Sequence, residues 1–249
     1  MRISVLASGS KGNCTYVETQ NNKVLIDIGM SNLYIEKKLV SLGVRPSDIN
    51  SVFITHTHVD HIAGLKVFIK KYHPTVFLTG KMYEELKDVI KDYVIIEDQI
   101  KIGDLTVDFF KTSHDTSDSL GYIFKNNDKE FVYVTDTGYI NAKNLKLLMN
   151  KDLYIFESNH DVELLMNNPH YPYHVKQRIL GDKGHLSNIQ CGEYLKKIVG
   201  DKTQVIILAH LSEQNNNQKL ALDNVKNNIS TDIQIMVATQ NDNTELIEV

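Results

Sequence analysis

Thr55-His56-Thr57-His58-Val59-Asp60-His61 decides how this chain is read. It follows directly on the apolar run 51–54, so three imidazoles and a carboxylate leave a strand together and enter the start of a helix. Histidines two apart on extended backbone point the same way, whereas Asp60 and His61, on the turn into the helix, reach a neighbouring point. One stretch can therefore serve two metal ions. Imidazole nitrogen with carboxylate oxygen suits Zn²⁺, Mn²⁺ or Fe, and a donor set without thiolates points to a catalytic site rather than a closed structural one.

Outward from this stretch the chain reads as strands and helices in alternation. Runs 2–7, 15–19 and 23–28 predict strands, the last two joined by a tight turn at Asn21-Asn22. Leu33, Ile35, Leu39 and Leu42 recur at helical spacing and are closed by Gly43 in the C′ position. Further helices are predicted at 62–72, 82–90, 175–180 and 188–198. Further strands are predicted at 75–78, 105–110, 120–124, 131–135, 153–156, 205–208 and 233–237. The polar patch 213–218 reads as a loop leading into a helix. Each sheet needs one face buried on the other and one covered by helices, which predicts a four-layer αββα sandwich in a single domain over 1–249.

Composition bounds the function. The chain has 249 residues, 42% hydrophobic and 23% charged, with no sign of disorder or a disulfide scaffold. Lys+Arg 27 against Asp+Glu 31 gives a net charge of −4, which excludes a broadly basic nucleic-acid coat but not a local basic cleft. Cys14 and Cys191 are far apart and form no Cys-x-x-Cys pair, so a cytoplasmic location is expected. The apolar amino-terminal stretch is too brief for a signal peptide and the other apolar runs are strand-sized, so no membrane association is expected. Ser8-Gly9-Ser10-Lys11-Gly12-Asn13 lacks the Gly-Lys-Ser/Thr that opens a P-loop helix, so no nucleotide cofactor is expected. That loop reads either as a Gly-rich turn or as a backbone cradle for a phosphate.

His-x-His-x-Asp-His after a strand resembles the signature of the metallo-β-lactamase fold superfamily, whose fold is the same αββα sandwich. The resemblance implies three more ligands at strand ends, and His114, Asp136 and His210 stand after apolar runs in the expected order. It assigns His56, His58 and His114 to one metal, Asp60, His61 and His210 to the other, and Asp136 to both, with Asp60 also among the catalytic groups. A carboxylate at 136 favours the branches that cleave phosphoesters with two divalent ions, Zn, Mn or Fe. Two metals about 3.5–4 Å apart suit phosphodiester hydrolysis without a Ser or Cys nucleophile.

Two other stretches, Glu157-Ser158-Asn159-His160-Asp161 and Gly184-His185-Leu186-Ser187-Asn188, resemble the Glu and His loops of the tRNA-maturation phosphodiesterases. On that resemblance His185 is a general acid or phosphate ligand and Glu157 orients it. His160 and Arg178 are candidate substrate contacts, although His160 has an equally good reading as an ordinary structural histidine. Asp27 is expected to be a buried carboxylate that hydrogen-bonds the motif loop. Lys66, Lys70, Lys71, Lys176 and Lys183 flank the site in sequence alongside Arg178; they either track a nucleic-acid backbone or line solvated helix faces.

The opening Leu6-Ala7-Ser8-Gly9-Ser10-Lys11-Gly12-Asn13-Cys14, with the 157–161 and 181–188 stretches, is similar to the YycJ/WalJ branch of bacterial exonuclease-like metallohydrolases. That branch implies a 5′-to-3′ exonuclease on double-stranded DNA with a role in DNA repair and Mn²⁺ as a working metal. The alternatives are a small-molecule phosphodiesterase acting on a cyclic or nucleotide phosphodiester, a thioester hydrolase on the same core, and a metal-binding scaffold without turnover. The residues leave the oligomeric state open.

Overall fold

Short apolar runs separated by turns pair locally first, and the amino terminus folds as the predicted antiparallel meander of β1 (Arg2–Ala7), β2 (Cys14–Glu18) and β3 (Lys23–Ile26). The computed structural model describes residues 1–229 and 232–249. Helix α1 (Asn32–Ser41) starts where the Ser31 side chain accepts from the Tyr34 N–H, and Gly43 (φ +76°) follows its end. The chain then adds strands in parallel: β4 (Ser51–Phe53), β5 (Thr75–Leu78) and β6 (Tyr93–Ile95), with α2 (Val59–Ile62), α3 (Leu65–Tyr72) and α4 (Gly80–Leu86) in the connections.

The second half repeats this plan. Strands β7 (Ile100–Ile102), β8 (Leu105–Lys111), β9 (Leu120–Asn126) and β10 (Lys129–Val134) run antiparallel. After them β11 (Leu153–Glu157), β12 (Val205–Ala209) and β13 (Gln234–Val237) join in parallel. Helices α5 (Ala142–Leu148), α6 (Val162–Asn167), α7 (Tyr173–Leu180), α8 (Asn188–Ile198) and α9 (Gln218–Lys226) fill the connections, and β14 (Ile247–Glu248) returns to pair with β1. Among the described residues the result is two seven-stranded mixed sheets, β14-β1-β2-β3-β4-β5-β6 and β13-β12-β11-β10-β9-β8-β7, flanked by helices in the αββα sandwich expected from the sequence.

Side-chain alternation builds two cores from single strands. Leu153 and Ile155 of β11, with Val205 and Ile207 of β12, bury into the cluster between the sheets, while Tyr154, Phe156, Ile206 and Leu208 pack against Leu195, Ile198, Ala221 and Val225 of α8 and α9. A strand covered on both faces reads as a continuous apolar run, which is why 153–156 and 205–208 are legible. Between the sheets Phe53 stacks on Phe77 at 4.5 Å and meets Tyr122 edge-on at 5.5 Å, and the Tyr122 hydroxyl donates to Ile54 O at 2.5 Å. Across the join of β4 and β9, packing thus fixes the strand that carries the motif.

The expected helix 62–72 is two helices. Gly64 breaks it, because its N–H donates to Ile28 O at 2.9 Å and a Cβ there would lie 2.1 Å from Met30 O, too close for any other residue. The expected helix 82–90 begins earlier, at the Thr79 cap, and stops at Leu86. Strands β6, β7 and β14 were not foreseen; they are edge strands or edge neighbours of two or three residues, half exposed, and their apolar pattern is too brief to read. Among the described residues no helix is long and apolar enough to cross a membrane.

Carboxyl ends of parallel strands are where α/β sheets gather ligands. Asp27 follows β3, the motif follows β4, Asp136 follows β10, Glu157 ends β11 and His210 follows β12. His114 joins them from the loop between β8 and β9.

Candidate metal centre

His56, His58 and His114 form one group of donors. The rings of His56 and His58 lie 4.7 Å apart and those of His58 and His114 4.9 Å apart, with His114 Nε2 3.2 Å from His58 Nδ1. Asp60, His61 and His210 form a second, with Asp60 Oδ2 3.6 Å from both His61 Nε2 and His210 Nε2. Asp136 stands between them: Oδ2 is 3.2 Å from His61 Nε2, and Oδ1 is 3.5 Å from His210 Nδ1 and 3.8 Å from His114 Nε2. His56, His61 and Asp136 make a further group, so one carboxylate adjoins both clusters, and in each group the donor atoms lie within 4.8 Å of one another.

Buried polar atoms are normally paired, so the exceptions are informative. His56 Nε2, His210 Nε2 and Asp136 Oδ2 are buried without a hydrogen-bond partner. Lone pairs on nitrogen and oxygen, desolvated and aimed at one another, are the chemistry of a divalent-cation site. The donor set fits Zn²⁺, Mn²⁺ or Fe.

A buried carboxylate orients the motif. Asp27 accepts from the Thr55 N–H and hydroxyl, each at 2.8 Å, and from His61 Nδ1 at 2.7 Å. That bond fixes a proton on Nδ1 and leaves Nε2, 3.2 Å from Asp136 Oδ2, as the nitrogen a metal would take. Burial pushes the His61 ring toward neutrality, but the carboxylates of Asp136 and Asp27 outweigh it and lift its pKa to about 10, so metal binding at Nε2 would release a proton. At His56 burial dominates and drives the pKa well down, so that ring is neutral and able to ligate. The motif backbone is pinned as well. Asp60 O accepts from the Asn13 N–H and His61 O from the Ile28 N–H, both at 2.8 Å.

Three of these residues sit in the left-handed region: Asp27 (φ 59°), Asp136 (φ 55°) and His210 (φ 58°). Such backbone is unfavourable for residues with a Cβ and persists where surroundings impose it. At His210 they do: its N–H donates to Ser8 Oγ at 2.7 Å and its carbonyl accepts from Asn159 Nδ2 at 2.9 Å. The Gly-rich loop thus reaches the site through Ser8 and Asn13, a structural role rather than a phosphate cradle for most of its length.

Glu157 is wholly buried and surrounded by donors. Oε1 accepts from His185 Nδ1 at 2.8 Å and His210 Nδ1 at 3.0 Å; Oε2 accepts from the Thr137 and Leu186 N–H groups at 3.0 and 3.1 Å. Burial would raise its pKa, but His185 and His210 outweigh this and bring it to about 2. Both oxygens are occupied, so the geometry suits an orienting carboxylate better than a metal ligand, despite its closeness to Asp136 and His210. His185 keeps Nε2 available to the cavity it lines.

That cavity, about 230 Å³, opens beside the donors and is lined by His58, Asp60, His114, Asp136, His185 and His210 among others. Arg178 also lines it and pairs with Asp115, beside His114. His160, expected as a substrate contact, is corrected: it is wholly buried, held by a bridge to Ser187, and does not line the cavity, with burial lowering its pKa to about 4. The flanking lysines also separate. Lys183 lines the cavity, whereas Lys66 and Lys70 line a different one, Lys71 pairs with Glu36 at 2.8 Å, and buried Lys176 donates to Met166 O at 2.6 Å. Sequence reading missed Asn13, Asp115, Asn159 and Tyr171. Asn13 and Asn159 lie within motifs already singled out, and the other two carry no signal beyond their neighbours.

The class of protein is that of the metallo-β-lactamase fold hydrolases. Residues 22–210 match the Beta-lactamase superfamily domain, and the chain belongs to that superfamily. It is 37% identical over 229 residues to the protein named exodeoxyribonuclease WalJ of Streptococcus pneumoniae serotype 2, covering 88% of this chain and 85% of that one. It is 36% identical over 228 residues to exodeoxyribonuclease YycJ of Bacillus anthracis, covering 89% and 86%. Among solved structures, the metallo-β-lactamase fold protein YhfI from Bacillus subtilis superposes with a TM-score of 0.77 at 16% identity, covering 98% of this chain and 99% of that one, a likeness of fold.

Proposed function

We propose that the chain is a phosphodiesterase of the cytoplasm, a single domain over 1–249, that digests double-stranded DNA from the 5′ end in DNA repair. It is carried by the buried convergence of nitrogen and oxygen donors on Asp136, next to a His185–Glu157 pair and an open cavity. The names and extent of similarity of the WalJ and YycJ relatives support the choice of DNA.

His56, His58 and His114 would hold one divalent ion, Asp60, His61 and His210 a second, and Asp136 both. Such ions, when bound, polarise a phosphoryl oxygen and make water a nucleophile near neutral pH. The chain's own groups do the rest. Glu157 holds the His185 proton on Nδ1 and turns Nε2 toward the cavity, where a protonated ring can donate to the leaving oxygen or hold the phosphate. Arg178, at the cavity's margin, is a cation for a neighbouring phosphate, and Asp60 contributes negative charge beside the reacting centre.

The test is digestion of linear duplexes labelled at the 5′ or the 3′ end, with Mn²⁺ or Zn²⁺, alongside Asp136→Ala. Loss of the duplex from the 5′ end by wild type alone is expected, with a rate that falls steeply as salt is added. Cleavage of bis(p-nitrophenyl) phosphate without digestion of either duplex would transfer the site to a small phosphodiester.

A further inference from the structure

The walls of the cavity differ in chemistry. Besides the donor cluster the lining includes Tyr171, Val175 and Ile179, all half-buried, with the exposed cations of Arg178 and Lys183. Val175 and Ile179 stand one turn apart on α7, and Tyr171 lies just ahead of its first residue. Apolar side chains beside a metal-type cluster contribute nothing to phosphate chemistry, which calls for charge and hydrogen bonds. They have another use.

From this we infer that the Tyr171–Val175–Ile179 wall is a subsite for the base of a strand's terminal nucleotide, with Arg178 and Lys183 holding the phosphate that follows it. The inference rests on the nucleic-acid reading above. An aromatic face with aliphatic neighbours takes any base by stacking, and adjacent cations track the backbone. The wall is also held in place. Lys176 Nζ anchors α7 to Met166 O, and Gly184 O, which follows the α7 loop, lies 3.2 Å from His114 Nδ1, so subsite and donor cluster share a contact. Asp115, which lines the same cavity, pairs with the Arg178 guanidinium and holds it at this lining.

Size limits what enters. At about 230 Å³ the cavity falls below the roughly 300–1,000 Å³ of drug-sized sites, room for one base rather than a stacked base pair. On this inference the end of a duplex unpairs before it is cut. A duplex with a mismatched terminal pair should be digested about tenfold faster than its fully paired counterpart, the factor equivalent to one stacking step of about 1.4 kcal/mol.

Binding tests this without turnover. Single strands carrying 2-aminopurine as the 5′ or the 3′ nucleotide and a phosphorothioate at the adjoining linkage are titrated with the metal-loaded protein, and 2-aminopurine fluorescence is read. Wild type and Tyr171→Phe should quench one of the probes, whereas Tyr171→Ala should abolish the quench and bind about 5- to 150-fold more weakly, the range for one lost base–aromatic stack. Wild type that digests duplexes while Tyr171→Ala quenches equally would overturn the subsite alone. Wild type that neither quenches nor digests any strand would overturn the nucleic-acid reading and the subsite with it.

Discussion

Asp27→Asn separates the orienting carboxylate from everything else at its position. Asp27 is wholly buried, in left-handed backbone that Asn tolerates well, so the substitution preserves size and φ while replacing one acceptor oxygen by an NH₂ group. Three donors now converge on it: the Thr55 N–H, the Thr55 hydroxyl and His61 Nδ1. One amide oxygen can satisfy at most two of them, and the amide hydrogens then oppose the third. A buried donor left unpaired costs about 1–3 kcal/mol, and the loss of a charged acceptor adds to it, so a destabilisation of about 2–4 kcal/mol is expected. If the third donor is His61, its ring turns over and Nε2 no longer presents a lone pair; outer hydrogen-bond partners of metal ligands are worth about 10–100-fold in affinity. Urea unfolding of the chelated protein measures the first effect, and competitive Zn²⁺ titration of the folded protein the second. Asp27→Asn that binds Zn²⁺ as tightly as wild type would refute the orienting role, whatever happens to stability.

Other expectations follow from single contacts. His185→Ala should retain the metal content of wild type and lose turnover by about 10²–10⁴, as general acid–base groups do; elemental analysis showing metal loss would make His185 a ligand instead. Gly29→Ala should unfold the motif loop, because a Cβ there would lie 1.7 Å from Asp60 O, and a shift of the urea midpoint by less than that equivalent to about 1 kcal/mol would contradict the close approach. Cys14 and Cys191 are buried, and burial raises both thiols, so neither should react with Ellman's reagent until urea unfolds the chain. Rapid labelling of either in the native protein would place it at a mobile surface.

The order of the donors was legible because the fold presents them in series: each follows an apolar strand, and strands buried on both faces are the clearest pattern a sequence carries. What placed them in space was not. Left-handed backbone at Asp27, Asp136 and His210 is unremarked in a sequence where glycine would normally mark such turns. Gly64 read as an ordinary helical residue until the approach of Met30 O supplied the reason for the break. The lysines show the same limit in another form. Lys176 and Arg178 are two residues apart on α7, yet one is buried against Met166 O and the other reaches the cavity. His160 and Glu157 share a motif, but β11 ends at Glu157 and the chain then carries His160 into the bridge with Ser187, away from the cavity.

The most direct test is the number of ions each chain binds, measured by elemental analysis of protein reconstituted with Zn²⁺ or Mn²⁺ and freed of excess metal. Two donor groups sharing Asp136 predict two ions per chain in wild type, and one, with activity abolished, in Asp136→Ala. A wild type saturated by a single ion, or Asp136→Ala that still binds two, would contradict the shared two-metal centre.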